Sequence, residues 1–295
     1  MIAILASIVP VLCIVLIGFY AGKTLEFDQP TLSRLVLYVL SPALIIDSLY
    51  RTKMTAENML VILAGFTLTY LLLCFLAWAL GKKFGLSTAA QKSLMATTAF
   101  PNAGNMGLPV NLFAFGEPGL ERAVVYLIAS SLVIFTTAPA FLKGGSFWSG
   151  VRFTFKSPFI WAMFVGWGLR LYGQELPLKL DVSLHLVAQA AVPIALLLLG
   201  TQIAHSRFQL SPYETGASFM RLVGGGLVAW LVGKALGLTG LDLQVLVLQS
   251  SMPAAINSFL MVNEFGGDGS RTARVVVVST LFAFITLPVV LWAIG

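Results

Sequence analysis

The chain has 295 residues, of which 58% are hydrophobic and only 10% are charged. Its mean hydropathy is +0.92. Because soluble domains carry about 25% charged residues, this chain has too few charges to cover a water-facing surface of its size. The composition excludes a soluble enzyme, a nucleic-acid-binding protein and a disordered chain, and it indicates a protein that crosses the lipid bilayer several times. The net charge of +6 is then explained by loop lysines and arginines that set the membrane topology.

Apolar runs of membrane-spanning length follow one another along the whole chain. A helix needs about 20 apolar residues to cross the hydrocarbon core of a bilayer, and the breaks between these runs are rich in Gly, Pro and charged residues. The pattern predicts ten transmembrane helices joined by short loops. In chain order, the predicted spans cover residues 2–22, 30–50, 57–81, 88–116, 120–142, 157–175, 180–203, 214–238, 241–266 and 270–294.

Basic residues are distributed unequally between the two sides of this predicted bundle. If the N-terminus lies outside, 12 of the 18 Lys and Arg residues fall in or beside the odd-numbered loops and 6 in or beside the even-numbered loops. Because short loops rich in Lys and Arg stay in the cytoplasm, we expect the odd-numbered loops to be cytoplasmic. Both termini are then expected on the non-cytoplasmic side.

The two halves of the chain repeat three short patterns in the same order, at offsets of 150 to 152 residues. Each half contains five spans, an odd number, so the second half enters the membrane from the opposite side. We therefore predict an all-α membrane protein with a 5+5 inverted repeat: a first repeat over 1–142, a short cytoplasmic linker over 143–156 and a second repeat over 157–295. This architecture is typical of secondary transporters. The matching patterns are Leu40-Ser-Pro-Ala-Leu-Ile with Ala191-Val-Pro-Ile-Ala-Leu, Phe100-Pro-Asn-Ala-Gly-Asn105 with Met252-Pro-Ala-Ala-Ile-Asn257, and Phe115-Gly-Glu-Pro-Gly with Phe265-Gly-Gly-Asp-Gly.

Helix-breaking residues cluster in spans 4 and 9. Pro101, Gly104 and Pro109 fall within nine residues of span 4, and Pro253 occupies the matching place in span 9. In a helix interior Gly costs about 1 kcal/mol and Pro about 3 kcal/mol relative to Ala. Unwound backbone at this depth is tolerated only where it is buried in protein or lines a cavity. We predict that both spans are broken and cross, which would leave backbone N–H and C=O groups free; the alternative is a proline kink healed by neighbouring helices.

Small polar side chains lie beside both predicted breaks and are the candidate substrate-binding residues: Asn102, Asn105, Asn257 and Ser258. Half-helix N-termini carry partial positive charge and unpaired N–H groups, which suit a carboxylate, whereas C-terminal ends suit a cation. An asparagine amide both donates and accepts hydrogen bonds, so it fits either ligand. Because no Asp or Glu lies near the breaks, a cation antiporter is disfavoured and a solute with its own negative charge is favoured.

Three further ionisable residues inside spans are candidates for coupling. Asp47, in the last turn of span 2, is interpreted either as a proton-coupling group or as a solvated helix end. Arg34 and His185 occupy repeat-related positions, 151 residues apart. A snorkelling Arg34 and a hydrogen-bonded His185 are the simpler interpretation, and a role in attracting solute or moving protons is the other.

Several of these motifs together resemble the auxin efflux carrier family, over essentially the whole chain. The resemblance rests on Phe100-Pro-Asn-Ala-Gly-Asn-Met-Gly-Leu-Pro-Val110, Met252-Pro-Ala-Ala and Pro288, in a frame of ten spans. This family includes plant PIN-FORMED exporters and bacterial permeases for dicarboxylates such as malate and malonate. The short loop between spans 5 and 6 resembles the bacterial form, which implies the bacterial inner membrane.

The resemblance implies a bile acid:sodium symporter-like fold. Spans 1, 2, 6 and 7 would form a scaffold domain, and spans 3–5 and 8–10 a core transport domain. The crossover of spans 4 and 9 would bind substrate, with Asn102 matching the Pro-Asn of the family, and the core would move like an elevator. A homodimer through the scaffold spans is also implied.

The function most consistent with these features is secondary transport of a small organic anion, a carboxylate, coupled to H⁺, to Na⁺ or to membrane potential alone. The alternatives are a Na⁺-coupled carrier like the bile-acid symporters, and a channel or sensor of the same fold. A membrane-embedded enzyme would need an acidic, histidine or metal-binding constellation. Because the sequence contains none, we expect neither an enzyme nor a bound cofactor or metal.

Overall fold

The computed structural model describes residues 2–143, 147–173, 176–206 and 208–295. Residues 144–146 of the predicted linker and residues 174–175 at the end of the predicted sixth span lie outside these ranges. The described residues form fourteen α-helices: α1 (Ile2–Thr24), α2 (Gln29–Leu35), α3 (Ser41–Arg51), α4 (Ala56–Lys83), α5 (Thr88–Ala99), α6 (Leu108–Lys143), α7 (Phe147–Thr154), α8 (Pro158–Tyr172), α9 (Leu180–His205), α10 (Pro212–Phe219), α11 (Gly225–Ala235), α12 (Gly240–Ser250), α13 (Ile256–Glu264) and α14 (Gly269–Ile294).

Short turns of other helical types connect some of these helices. One π-helical turn, Val36–Leu40, joins α2 to α3, and another, Met220–Gly224, joins α10 to α11. A third, Ala103–Gly107, precedes α6, and a 3₁₀ turn at Pro177–Lys179 precedes α9. The described part of the chain contains no β-strand. The prediction of an all-α protein is therefore confirmed.

Seven helical segments in the described ranges are long and apolar enough to cross a membrane, so the protein is a multi-pass membrane protein. Some of the ten predicted spans correspond to shorter helices: α8 has 15 residues, α5 has 12, α12 has 11 and α13 has 9. The count of ten spans and the inverted repeat stay predictions. The seven segments are Ala6–Thr24, Gln29–Arg51, Ala56–Lys83, Ala103–Leu142, Pro177–His205, Pro212–Ala235 and Gly269–Ile294.

The predicted linker contains a helix that hydropathy did not reveal. Between residues 143 and 156, α7 occupies eight residues. It packs on α6: Thr154 Oγ1 lies 2.9 Å from Thr136 Oγ1, and a Cβ at Gly150 would lie only 1.8 Å from the carbonyl oxygen of Thr136. A helix this short is far below membrane-spanning length, so the apolar-run criterion passes over it.

A single glycine divides α6 where the sequence predicts a turn between spans 4 and 5. Gly116 has φ 66° and ψ −161°, a conformation that side-chain-bearing residues avoid. Close behind it, a Cβ at Gly119 would lie 2.4 Å from Cβ of Phe115. The chain therefore needs glycine at both positions to make this tight turn between the two helical parts of α6.

Two sets of helix contacts stand out, although α1 also contacts α6 and α14. In the first, α1 packs along α9, and α3 packs against α8 and α9. Glycines bring the backbones of α1 and α9 together, since a Cβ at Gly18 would lie 2.3 Å from the carbonyl oxygen of Leu197, and one at Gly200 would lie 2.2 Å from that of Val15. Small residues at helix contacts are the usual means of close packing in membranes. In the second group, α4 contacts α5, α6, α11 and α12, and α14 contacts α5, α10, α12 and α13.

Side-chain caps explain where α5 and α14 begin. The Ser87 hydroxyl accepts the Ala90 N–H at 3.3 Å at the start of α5, and the Asp268 carboxylate accepts the Arg271 N–H at 2.9 Å at the start of α14. Each cap satisfies one of the N–H groups that the first helical turn leaves without a partner. These two starts are fixed by local sequence.

Candidate functional site

Both halves of the chain contain an interrupted helix. In the first half α5 ends at Ala99, residues 100–102 are not helical, and the helix resumes in the π-helical turn Ala103–Gly107. In the second half α12 ends at Ser250 and α13 begins at Ile256. Each interruption contains a proline, Pro101 in the first and Pro253 in the second.

The first interruption is narrower than the stretch from 101 to 109 that the sequence analysis marked as broken. Gly104 lies in the π-helical turn, and Pro109 is the second residue of α6. The helix therefore resumes at Ala103 and continues through Pro109, so this proline does not extend the interruption.

The two interruptions meet and pair through their backbones. The Asn102 N–H donates to the Pro253 carbonyl at 2.8 Å, and the Ala255 N–H donates to the Phe100 carbonyl at 3.0 Å. Pro101 and Ala254 form an isolated antiparallel bridge between these two bonds. The broken segments thus cross in contact.

This pairing corrects one expectation from the sequence. We expected the broken helices to leave free backbone groups for a ligand, yet the groups nearest the crossing are satisfied. Besides the two bridging bonds, the Ala254 N–H donates to Ser279 Oγ at 3.1 Å, and the Gly107 N–H donates to the Asn102 carbonyl at 3.0 Å. A buried backbone group without a partner is costly, so the extended residues pair with each other and leave side chains as the free polar groups.

A cavity of about 540 Å³ opens at the crossing. It touches both places where a helix restarts, at Ala103–Asn105 and at Ala255–Asn257. The first N–H groups of a helix have no intrahelical partner and carry partial positive charge. The lining residues are Pro30, Ser33, Arg34, Val36, Leu37, Tyr38, Ser41, Phe100, Pro101, Asn102, Ala103, Gly104, Asn105, Leu127, Ser130, Ser131, Ile134, Phe135, Phe159, Leu198, Gln202, Ala255, Ile256, Asn257, Leu260 and Met261.

Asn102 presents an unsatisfied amide in this cavity. The residue is only 5% exposed, and its Nδ2 has no hydrogen-bond partner among the described residues. A buried donor left unsatisfied costs about 1–3 kcal/mol. This unsatisfied donor belongs to a residue that lines the cavity at the crossing.

Arg34 gives the cavity its charge. It is the only charged side chain among the described lining residues, and no carboxylate of the described chain lies within ion-pair distance of it. Gln202 on α9 also lines the cavity, and its buried Oε1 has no partner among the described residues. The lining therefore combines one cation without an ion-pair partner, one amide donor without a partner and one amide acceptor without a partner.

The other predicted binding residues fall in different environments. Asn105 and Asn257 line the cavity, the first partly exposed and the second exposed. Ser258 does not line it: the side chain is fully buried and its hydroxyl donates to the Ala255 carbonyl at 2.5 Å. Pro253 also lies outside the lining.

The three predicted coupling residues separate into two places. Asp47 is 5% exposed and accepts hydrogen bonds from Arg51 Nε at 2.8 Å, while its other oxygen lies 2.8 Å from His185 Nδ1. His185 Nε2 in turn lies 3.0 Å from Gln189 Nε2. This network joins α3 to α9 and does not line the cavity, whereas Arg34 does.

A buried arginine that the sequence analysis did not single out lies behind the crossing. Arg221, in the π-helical turn between α10 and α11, is 1% exposed. Its guanidinium donates to the carbonyl of Thr98 near the end of α5 and to the carbonyl of Ser250, the last residue of α12. The signal was present in the sequence, since a charged residue inside an apolar span is expensive and is usually functional. Because Arg221 lies near the start of the predicted span 214–238, the same pattern also fits a loop arginine that sets the membrane topology.

Gly225 leaves room for the Arg221 guanidinium, whereas Gly224 has free space beside it. A Cβ added at Gly225 would lie 2.2 Å from the Ser250 carbonyl oxygen and 2.5 Å from Arg221 Nη2. A Cβ added at Gly224 would meet only Met220 Cγ, at 3.7 Å. Gly225→Ala is expected to destabilise the protein by about 1–3 kcal/mol through overpacking, and Gly224→Ala is expected to be neutral or stabilising through helix propensity. Melting temperatures of the two purified variants in detergent test this, and equal melting temperatures would contradict the close packing.

These features make the cavity a candidate binding site. The cavity offers positive charge and hydrogen-bond donors, and the part of its lining that the structure describes includes neither a carboxylate nor a histidine. Such a site can hold an anion by electrostatic attraction and hydrogen bonds.

Comparisons with known proteins agree with a membrane protein of this kind. A family model described as Membrane transport protein matches residues 3–142 and 149–291. A protein of Methanothermobacter thermautotrophicus named "Uncharacterized transporter" is 30% identical over 296 residues, covering 98% of this chain and 97% of that protein. A protein of Rhizobium meliloti named "Putative malonate transporter" is 26% identical over 310 residues, covering 97% of this chain and 94% of that protein.

A plant relative matches over a shorter length. "Probable auxin efflux carrier component 9" of Oryza sativa subsp. japonica is 29% identical over 161 residues, which are 52% of this chain and 37% of that protein. This match confirms the resemblance to auxin efflux carriers that the motifs indicated. The names of these relatives are those of transporters and carriers. The chain belongs to the Membrane transport protein family, which is auxin efflux carrier-like, and it is a membrane transporter and not an enzyme.

Proposed function

We propose that this protein is a secondary transporter of a small organic anion, a carboxylate, and that the anion binds at the crossing of the two broken helices. The observation that carries the proposal is the Nδ2 of Asn102, which has no partner, beside a cavity in which Arg34 is the only charged residue of the described lining. A carboxylate would accept a hydrogen bond from the first and balance the charge of the second.

The charge balance of the site favours a dicarboxylate. Each helix start contributes about half a positive charge, so the starts at Ala103 and Ile256 together contribute about one. Arg34 contributes a second. A ligand with two negative charges would match this total, and malonate is the natural first compound to test because a relative carries that name.

The transport mechanism we propose follows the predicted architecture. The chain would contain ten spans in a 5+5 inverted repeat, with a scaffold made of α1, α2, α3, α8 and α9 and a core made of α4–α6 and α10–α14. The two packing groups described above support this division. The core would move across the membrane like an elevator and carry the crossing with it, which gives alternating access.

The cavity would face the cytoplasm in the bacterial inner membrane. Its lining includes Pro30, near the start of α2, and Gln202, near the end of α9. Both belong to the end of the bundle that carries the odd-numbered loops, where basic residues are concentrated. This orientation places both termini outside, and a homodimer through the scaffold would leave the core free to move.

Uptake into proteoliposomes tests the proposed function. We expect malonate or a related carboxylate to raise the melting temperature of the purified protein by mass action, and labelled uptake to saturate with concentration. Flux that rises linearly without saturation would indicate the channel alternative. If no mono- or dicarboxylate or aromatic acid in a broad panel binds, the proposal fails.

Proton coupling through Asp47 and His185 is tested separately. Histidine changes charge between pH 5 and 8, but this pair lies outside the cavity. We therefore expect His185→Gln to leave the pH dependence of uptake unchanged, with His205→Gln as the matched control at the other histidine of the chain. Loss of pH dependence in His185→Gln alone would instead assign proton coupling to this network.

A further inference from the structure

Arg221 occupies the point where two helices end. The helices α5 and α12 approach the crossing with their C-terminal ends, and the Arg221 guanidinium donates to a carbonyl of each, Thr98 and Ser250. These carbonyls precede Asn102 by four residues and Pro253 by three. Arg221 is therefore tied to both broken helices immediately before they cross.

The charge of Arg221 is compensated by these helix ends. The side chain is fully buried, and no carboxylate in the described ranges pairs with it. A buried charge without compensation is strongly destabilising. The C-terminus of a helix carries about half a negative charge, so two such ends supply about one, which matches one guanidinium.

We infer that Arg221 is a fixed counter-cation that neutralises the C-terminal ends of both broken helices, so that the positive helix starts and Arg34 dominate the field in the cavity. Arg221 is then a positioning and selectivity residue, because it acts on the anion through the field and through the alignment of the crossing. This inference rests on the proposed anion-transport function. Without Arg221, the two negative helix ends would offset the two positive starts and would attract a free cation.

The first test uses the wild-type protein and needs no substrate. Because Arg221 already fills the place where a cation would bind the helix ends, the melting temperature is expected to be the same in sodium chloride and in choline chloride of equal concentration. A melting temperature that rises with Na⁺ but not with choline would overturn the inference and leave the anion-transport proposal intact.

The second test separates charge from packing. Arg221→Lys keeps the charge and Arg221→Met removes it at similar length; both are expected to lower the melting temperature. Malonate binding by the folded protein is expected to stay within a few fold of wild type in Arg221→Lys and to weaken roughly tenfold in Arg221→Met. Gly166→Ala is the control for stability loss alone and should bind malonate normally. A Cβ at Gly166 would lie 2.9 Å from Leu49 Cβ, in the contact of α8 with α3, and neither residue lines the cavity.

The outcomes distinguish the two proposals. Equal malonate affinity in Arg221→Lys and Arg221→Met contradicts a role for the charge. If Arg221→Met does not fold, Arg221→Lys is compared directly with wild type, and a tenfold loss of affinity there contradicts the inference. If no carboxylate binds the wild-type protein, the proposed function fails, and the sodium test of Arg221 still stands.

Discussion

Asn102→Ala is expected to reduce binding and uptake of the transported anion by roughly 10- to 100-fold, the loss that accompanies removal of a hydrogen bond to a charged group. The side-chain Nδ2 has no partner among the described residues, while the backbone of Asn102 donates to the Pro253 carbonyl and accepts from the Gly107 N–H. Alanine keeps those backbone bonds. Because it also removes an unsatisfied buried donor, the melting temperature is expected to be unchanged or slightly higher.

A second buried asparagine provides the control. Asn111 on α6 is fully buried, lies outside the cavity lining and donates from Nδ2 to the Gly107 carbonyl at 2.8 Å. Asn111→Ala is expected to show the opposite pattern, with a lower melting temperature and normal uptake per folded molecule. If Asn102→Ala transports with wild-type kinetics, the crossing is not the binding site.

Arg34→Gln is expected to weaken anion binding roughly tenfold, because it removes the only charge among the described lining residues. Arg34 is exposed to the cavity, so its attraction is partly screened by salt and the effect should shrink at high ionic strength. Arg34→Lys keeps the charge and is expected to bind with intermediate affinity. Isothermal titration with malonate at two salt concentrations measures these differences.

Lys23 is the matched control for a general effect of surface charge. It lies at the same end of the bundle, near the end of α1, and its Nζ sits 5.9 Å from the centre of the Phe19 ring, outside the cavity. Lys23→Gln is expected to leave malonate affinity unchanged. A similar loss of affinity in both variants would mean that the net charge of this surface attracts the anion and that Arg34 has no specific role.

Much of the helical layout could be predicted from hydropathy and from Gly and Pro. The apolar run over 57–81 became α4. The interruptions lie at Pro101 and Pro253, where proline removes a helical hydrogen bond, although Pro10, Pro193 and Pro288 lie inside helices that continue. The turn at Gly116 was predicted from local sequence for the same kind of reason. These features depend on residues close together in the chain.

Features that depend on distant contacts could not be predicted. Three such contacts join residues far apart in sequence. They are the backbone bridge between Pro101 and Ala254, the hydrogen bond between His185 and Asp47, and the hydrogen bonds from Arg221 to the ends of α5 and α12. The repeat predicts that the two broken spans cross, but a single sequence contains no signal for which backbone and side-chain atoms pair. The π-helical turns were also missed, since hydropathy is nearly blind to one extra residue in a helical turn.

The most direct measurement of the central claim is an experimental structure of the protein with the carboxylate that raises its melting temperature most. We predict ligand density at the crossing, with a carboxylate oxygen within hydrogen-bond distance of Asn102 Nδ2 and the residues around Pro101 and Pro253 unwound. Ligand density elsewhere, or continuous helices through both prolines, would contradict it.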